Sequence, residues 1–553
     1  MSNDHPSWMR SGILGALVSA SLLGWFSTPA EACGGLFCNG QNPVVQTGEQ
    51  IVFSVDPAEG KVEAIINIRY QGSPREFAWI LPLQSAPTKV EVAPSTVFSA
   101  TNNLTAPRFV VTTEEEGLCE SGGLRFASAS EANFAPEAPK NAGVTVLEQR
   151  AIGPYESSVI RSDDPEATRT WLVDNGYAVT DDMMKSVVPY VHKGDVLLAL
   201  RLQNDQDVGD IQPVWVAMDA ADACVPIRLT AIAAVSDMDV TALVLSDAGR
   251  AIPKNYFHVE LNLARIDWTG GGGNYRDVVS KAADEGQGNA FVTEFAGSAR
   301  IFDRQIYTPG SYDQQRLLSV TDARSFVEEV ARQGLIVKQE AAAIVARQLP
   351  DEAFEQGGLS RAQFLNCAQC WTFSIAPVPF DPSVAVTELW TRLVEPEMRA
   401  QSLFDRHRYA TRLFTMLSPE EMTIDPEFSF RSDLPDISNV HNATAYLECG
   451  LGRSRSEAPV RLEIEETGQV IYFESNSGNG VDRTQLDAMP AAAKIEQLEE
   501  RSLISDRSAD IERLLDAHNG LNGKGCGCSA TQSDGSGWWA LALMAFVFRR
   551  RRV

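Results

Sequence analysis

Apolar and polar residues alternate from Glu49 onward. Ile51, Phe53 and Val55 alternate with more polar neighbours, and an Asp56-Pro57-Ala58-Glu59-Gly60 turn follows. Beyond it Val62, Ala64, Ile66, Ile68 and Tyr70 alternate with Lys61, Glu63, Asn67 and Arg69. A period of two on both sides of a turn predicts an antiparallel hairpin with one buried face. More strands are predicted at Phe77 to Leu81, Val196 to Leu202, Val214 to Met218, Pro226 to Ala231, Val240 to Leu245 and Phe257 to Leu263. Between them, Thr112 to Ala142 is rich in Glu, Ser, Ala, Gly and Pro, the composition of a long surface loop. One helix interrupts, with Asp164 as its cap, Pro165 in its first turn, Trp171 and Leu172 facing the core, and Gly176 as the stop.

Past the glycine run Gly270 to Gly273 the period changes from two to near 3.6, which makes that run the candidate boundary between two units. Helices are predicted over Tyr275 to Glu285, Ala323 to Arg332, Glu340 to Leu349 and Val386 to Leu403. After Cys449 come a strand pair, Val460 to Ile464 and Val470 to Glu474, turning at Thr467-Gly468, and a charged helical stalk over Ala491 to His518. The fold class is therefore α+β, with an N-terminal antiparallel, sandwich-like β-rich domain at 33–269 and a mixed, more helical domain at 274–450. The strand pair and stalk occupy 451–525.

Both ends carry processing signals. The apolar run Ile13 to Phe26 follows Arg10 and leads to Ala30-Glu31-Ala32, an A-x-A site before Cys33. Its 14 residues fall short of the ~20 that span a bilayer, so residues 1–32 read as a signal peptide for an export signal peptidase. At the other end Cys526 and Cys528 sit in a glycine-rich stretch, followed by the apolar run Trp538 to Phe548 and by Arg549, Arg550, Arg551 and Arg552. This order resembles the myxobacterial C-terminal sorting signal, which implies cleavage by a sorting peptidase near the Cys and a protein held at the cell surface, with membrane contact at 526–553 only.

The net charge of −26 argues against nucleic acid, which is bound by basic patches that neutralise phosphates. Export changes the reading of the cysteines. Cys33, Cys38, Cys119, Cys224, Cys367, Cys370 and Cys449 are disulfide candidates in an oxidising compartment, and seven is odd. Cys33 with Cys38, Cys119 with Cys224, and Cys367 with Cys370 are pairings the spacing leaves open. The C-x-x-C at Cys367-Ala368-Gln369-Cys370 admits two other readings, thiol-disulfide exchange and a zinc site completed by His407 or His441. Trp371 follows the pair, whereas a thioredoxin-like site has Trp before it, so a structural disulfide is the reading taken, with no metal and no cofactor.

Several stretches resemble the bacterial domain-of-unknown-function 2330 family. They are Ala32-Cys33-Gly34-Gly35 with Cys38 and Pro43-Val44-Val45-Gln46, Phe77 to Pro82, and Pro226 to Ala231. Downstream come Asn274-Tyr275, Ala290 to Gly297, and Thr411-Arg412-Leu413 leading to Ser418-Pro419-Glu420-Glu421-Met422, so the resemblance spans roughly residues 31 to 450. It implies an exported or surface protein and assigns no catalytic residue. Read as residues, Ser418 to Glu421 is a helix capping box, Arg228 sits in a strand beside a carboxylate, and Glu294 is solvated or salt-bridged. His258-Val259-Glu260 matches half of a deaminase signature, with both side chains on one strand face. Asn204 to Asp210 is an oxygen-rich hairpin loop without EF-hand register. The nucleophile elbow, P-loop, dinucleotide fingerprint and H-E-x-x-H are absent. The function expected is a non-catalytic structural or binding role toward an envelope or extracellular partner. The alternative is an envelope enzyme, either a thiol oxidoreductase using Cys367 and Cys370 or a hydrolase using Glu294 or His441.

Overall fold

The computed structural model describes residues 45–71, 78–120, 145–203, 212–475 and 483–522. Residues 1–32, read above as a signal peptide, Cys33, Cys38, the Asn204 to Asp210 stretch, Cys526, Cys528 and the terminal arginines lie outside them.

The strands in chain order are β1 (Val45–Asp56), β2 (Lys61–Gln71), β3 (Ala78–Leu83), β4 (Lys89–Val92), β5 (Arg108–Glu120), β6 (Thr145–Ile152) and β7 (Tyr155–Arg161). They continue as β8 (Val196–Leu202), β9 (Val214–Asp219), β10 (Ala223–Cys224), β11 (Ala234–Ser246), β12 (Arg250–Pro253), β13 (Phe257–Leu261) and β14 (Ala290–Ser298). The last are β15 (Tyr409–Leu417), β16 (Glu427–Arg431), β17 (Val440–Ser454), β18 (Val460–Ile464), β19 (Val470–Phe473), β20 (Ala492–Gln497) and β21 (Ser502–Asp506).

Ten of them form one sheet in the order β21-β20-β13-β14-β15-β11-β1-β2-β9-β4. The predicted hairpin is its centre, with Asp56 opposite Lys61. The sheet is mixed, because β1 pairs with β11 and β13 with β14 in parallel. A four-stranded antiparallel sheet, β3-β8-β7-β6, faces it. Ile51, Phe53 and Ile66 meet Leu81, Val159, Leu198 and Leu200 across the gap, which is the predicted sandwich. The alternate residues of β8, Leu197 and Ala199, face outward against Trp171, Leu172, Met183 and Val187 of the helices Pro165–Asp174 and Asp181–Lys193. On the far face of the large sheet, Val52, Ile65 and Leu243 pack on Val97, Phe98, Leu403 and Phe404 of the helices Thr96–Thr105 and Glu395–Asp405. Two sheets between two helical layers explain why β1 and β8 are buried on both sides, a pattern a single-face alternation understates.

The glycine run is a turn entering the helix Tyr275–Glu285, and the large sheet continues past it, since β14 and β15 pair next to β11. The helices between Gln314 and Leu389 gather around a core of their own that includes Phe326, Val330, Val345 and Phe364.

Three elements differ from expectation. Pro226 to Ala231 is one helical turn, Ile227–Thr230, because the Asp425 carboxylate accepts the Arg228 N–H at 3.0 Å and starts the turn. Arg228 therefore meets its carboxylate through the backbone and not from a strand. The stretch from Thr112 is strand as far as Glu120, where β5 pairs in parallel with β17. The Ala491 to His518 stalk is instead the hairpin β20–β21 followed by the helix Ser508–Asn522. Glu285 accepts the N–H groups of Ala491 and Ala492, both at 2.9 Å, and Lys494 pairs with Glu260, so the charged residues serve a sheet edge. Ser418 to Glu421 keeps one half of its capping box, Ser418 N–H to Glu421 Oε2 at 2.7 Å, but only a turn follows.

Candidate functional site

Cys367 ends the helix Arg361–Asn366, whose start is a capping box between Ser360 and Gln363. The chain tightens at once into a 3-10 helix, Ala368–Ser374, with the Cys370 N–H donating to the Cys367 carbonyl at 2.9 Å. Cys367 and Cys370 are disulfide-bonded across this turn. Ala368 and Thr372 are buried beneath it, while Cys370, Trp371 and Phe373 point outward. Trp371 is 38% exposed, Phe373 76% and Leu365 46%, exposed apolar residues that flank the disulfide in sequence, with Phe373 one 3-10 turn beyond Cys370. The turn is held from below. Arg324 donates to the Ile375 carbonyl at 2.7 Å, and the Ser374 carbonyl lies so close to Gly357 that a Cβ there would stand 2.0 Å from it.

A second constellation lies at one end of the sandwich, where Gln46, Trp79, Leu81, Pro226 and Thr230 converge on Glu49. Glu49 is 2% exposed, and its Oε2 accepts from Thr230 Oγ1 at 3.1 Å and Gln46 Nε2 at 3.2 Å. Burial raises its pKa to about 7, with the two hydrogen bonds opposing and Asp425 adding. The cavity beside it is about 10 Å³, and a neighbouring one, reached by Tyr190, Cys224, Asp425, Lys193, Asp195 and Asp222, is about 30 Å³. Since a water needs ~10–15 Å³, these spaces suit one or two waters as they stand. Their titratable groups are also engaged. Tyr190 donates to Asp425 at 2.9 Å, Lys193 stands 3.6 Å from Asp195, and Lys254 is 2.5 Å from Asp222.

Cys224 is a free thiol, so the pairing of Cys119 with Cys224 is not formed. Burial pushes that thiol up, and Asp425 and Glu427 push it further, which keeps it protonated and a poor nucleophile. Cys119 lies on β5, and Cys449 is disulfide-bonded.

The remaining candidates are dispersed. Glu294, 3% exposed, forms an ion pair with Arg412 Nε and accepts from the Tyr275 hydroxyl at 2.9 Å, while Arg412 also donates to Asn102 at 2.7 Å. His441 contacts both Glu466 oxygens at 2.9 Å and stacks on Phe109. His407 meets the Ser54 hydroxyl at 2.7 Å, a nucleophile-base distance, but Ser54 is 5% exposed in the middle of a packed sheet. His258 is buried between Thr293, at 3.1 Å, and Glu496, while Glu260 faces Lys494 at the surface. Neither His407 nor His441 therefore joins the Cys367–Cys370 turn, whose sulfurs are spent on each other. Among the described residues no group of three His, Cys, Asp or Glu side chains is placed to hold a metal ion. Sequence reasoning missed Glu49. The signal was faint, an acid two residues before Ile51 on the face of the alternating apolar side chains, and its polar partners are 181 residues away and three residues back.

The convergence around Glu49 is made by stretches that carried the family resemblance: Val45-Gln46, Trp79 to Pro82 and Pro226 to Thr230. A family model, described as an uncharacterised protein conserved in bacteria (DUF2330), matches residues 28–308, just over half of the 553. The chain belongs to the DUF2330 family. The matched part of this DUF2330 protein holds the hairpin, the facing sheet and the Glu49 junction. The match stops short of the Thr411 and Ser418 motifs and of the disulfide turn. No curated protein and no solved structure matches the chain.

Proposed function

We propose that this DUF2330 protein is exported, is held at the cell surface by a processed C-terminus, and binds an envelope or extracellular partner without catalysis of its own. The observation that supports binding is the exposure of three apolar side chains, Leu365, Trp371 and Phe373, within the stretch that carries the disulfide turn. Large apolar side chains left in water are what a contact patch requires. A disulfide is at home in an oxidising compartment, which favours export together with the two terminal signals. The groups named for a hydrolase stand apart and are each engaged: Glu294 is ion-paired with Arg412, and His441 contacts Glu466. Treatment of intact cells with an impermeant protease tests the placement. The reading expects the full-length band to disappear while a cytoplasmic marker persists, and a protected band would overturn it.

A further inference from the structure

The Cys367–Cys370 disulfide is unlike a buried staple. Cys370 is exposed and Cys367 half-buried, whereas the disulfide-bonded Cys449 is 0% exposed. The backbone around the pair is also fixed without the sulfurs. The Cys367 N–H donates to Phe364, the Cys370 N–H to Cys367 and the Ala376 N–H to Ala353, and Arg324 holds Ile375. A link that closes a turn already held by these bonds can open without unfolding what carries it. Exposed Cys370 shares one face of the 3-10 helix with Phe373, three residues on and the most exposed aromatic side chain of the described residues, and Trp371 and Leu365 are near in sequence. Exposed disulfides are the labile ones in thiol exchange, and the attack falls on the sulfur that can be reached.

We propose that this turn captures its partner covalently: the Cys367–Cys370 disulfide exchanges with an accessible thiol on a protein segment that also carries aromatic or aliphatic side chains. The proposal rests on the reading of the turn as a contact patch. The partner thiolate attacks Sγ of Cys370, a mixed disulfide forms, the Cys370–Cys367 bond breaks, and Cys367 leaves as a thiolate that takes a proton from water. Where the partner carries a second thiol, its thiolate resolves the mixed disulfide. Two electrons then pass from the partner's dithiol to the pair, which becomes Cys367 and Cys370 thiols. Cys224 takes no part, because its thiol is buried and held protonated.

The test uses the protein released from the cell envelope and two synthetic peptides, each with one Cys, flanked in one by Leu and Phe and in the other by Gly and Ser. Reactions are stopped with acid, alkylated and mapped by peptide mass. The expected result is an adduct on Cys370 with the alkyl group on Cys367, and an about tenfold faster reaction of the apolar peptide. In the W371S/F373S double variant the two peptides should react at equal rates, with the polar peptide's rate unchanged as the control for folding. A disulfide that resists both peptides, an adduct on Cys367, or equal rates on the unaltered protein overturns the proposal. The same digest maps the two chain ends. Ends at Cys33 and near Cys526 without exchange would sink the covalent step alone, whereas unprocessed ends would count against the surface-held reading itself.

Discussion

Glu49 is buried, and the partners of its carboxyl among the described residues are the neutral Thr230 and Gln46, so it keeps its proton to a higher pH folded than unfolded. The native value of about 7 stands above the ordinary 4.5. Between those values the folded chain binds more protons than the unfolded one, so stability falls as pH rises through about 4.5 to 7 and is level above. At ~1.4 kcal/mol per unit the difference is on the order of 3 kcal/mol. Urea unfolding at pH 5 and pH 8 should show that loss, and Glu49→Gln, which keeps an acceptor for Thr230, should remove most of it. An unchanged pH dependence in the variant would show that the proton sits elsewhere. The Glu294–Arg412 pair is held differently, since the two side chains are buried against each other and also bonded to Tyr275 and Asn102. Arg412→Ala strands a carboxylate in the core and should cost about 3–5 kcal/mol, measured by the same unfolding curves. At this scale the sequence was a poor guide. It named Glu294 and left Arg412 in a motif, because the contact joins residues 118 apart.

Elements governed by local rules were legible. The helix Pro165–Asp174 begins where Asp164 accepts the Glu166 N–H at 2.9 Å and buries Trp171 and Leu172 as the pattern required. Asp164→Ala should therefore lower stability by about 1 kcal/mol in urea unfolding. The helices Tyr275–Glu285 and Ala323–Arg332 and the strands Val460–Ile464 and Val196–Leu202 also lie where the sequence places them. What failed was decided from a distance. Asp425 turned Pro226 to Ala231 into a helix, and Glu285 with Glu260 recruited Ala491 to Gln497 into the large sheet. The short strands β10, β12 and β16 form a sheet whose partners are separated by more than 170 residues, and no local pattern announces such a pairing. For the disulfide turn, the C-x-x-C was visible and its exposure was not. Gly357→Ala would place a methyl against the Ser374 carbonyl, and a cost of about 1–3 kcal/mol is expected from the same curves.

Taken whole, the molecule stacks helices, a four-stranded sheet, the ten-stranded sheet and a second helical layer, with a helical module displaying the disulfide turn. Among the described residues no helix is long and apolar enough to cross a membrane, and the apolar runs at Ile13 to Phe26 and Trp538 to Phe548 lie outside them. A free Cys224 also accounts for the odd number of cysteines between Cys33 and Cys449, since six remain to pair. The measurement that bears most directly on a surface-held, disulfide-closed protein is the intact mass of the chain released from the cell envelope, alkylated in denaturant without reductant. The expected mass corresponds to a chain that begins at Cys33, ends near Cys526 and carries one alkyl group, on Cys224. A mass that retains residues 1–32 or the terminal arginines, with alkyl groups on Cys367 and Cys370, would contradict it.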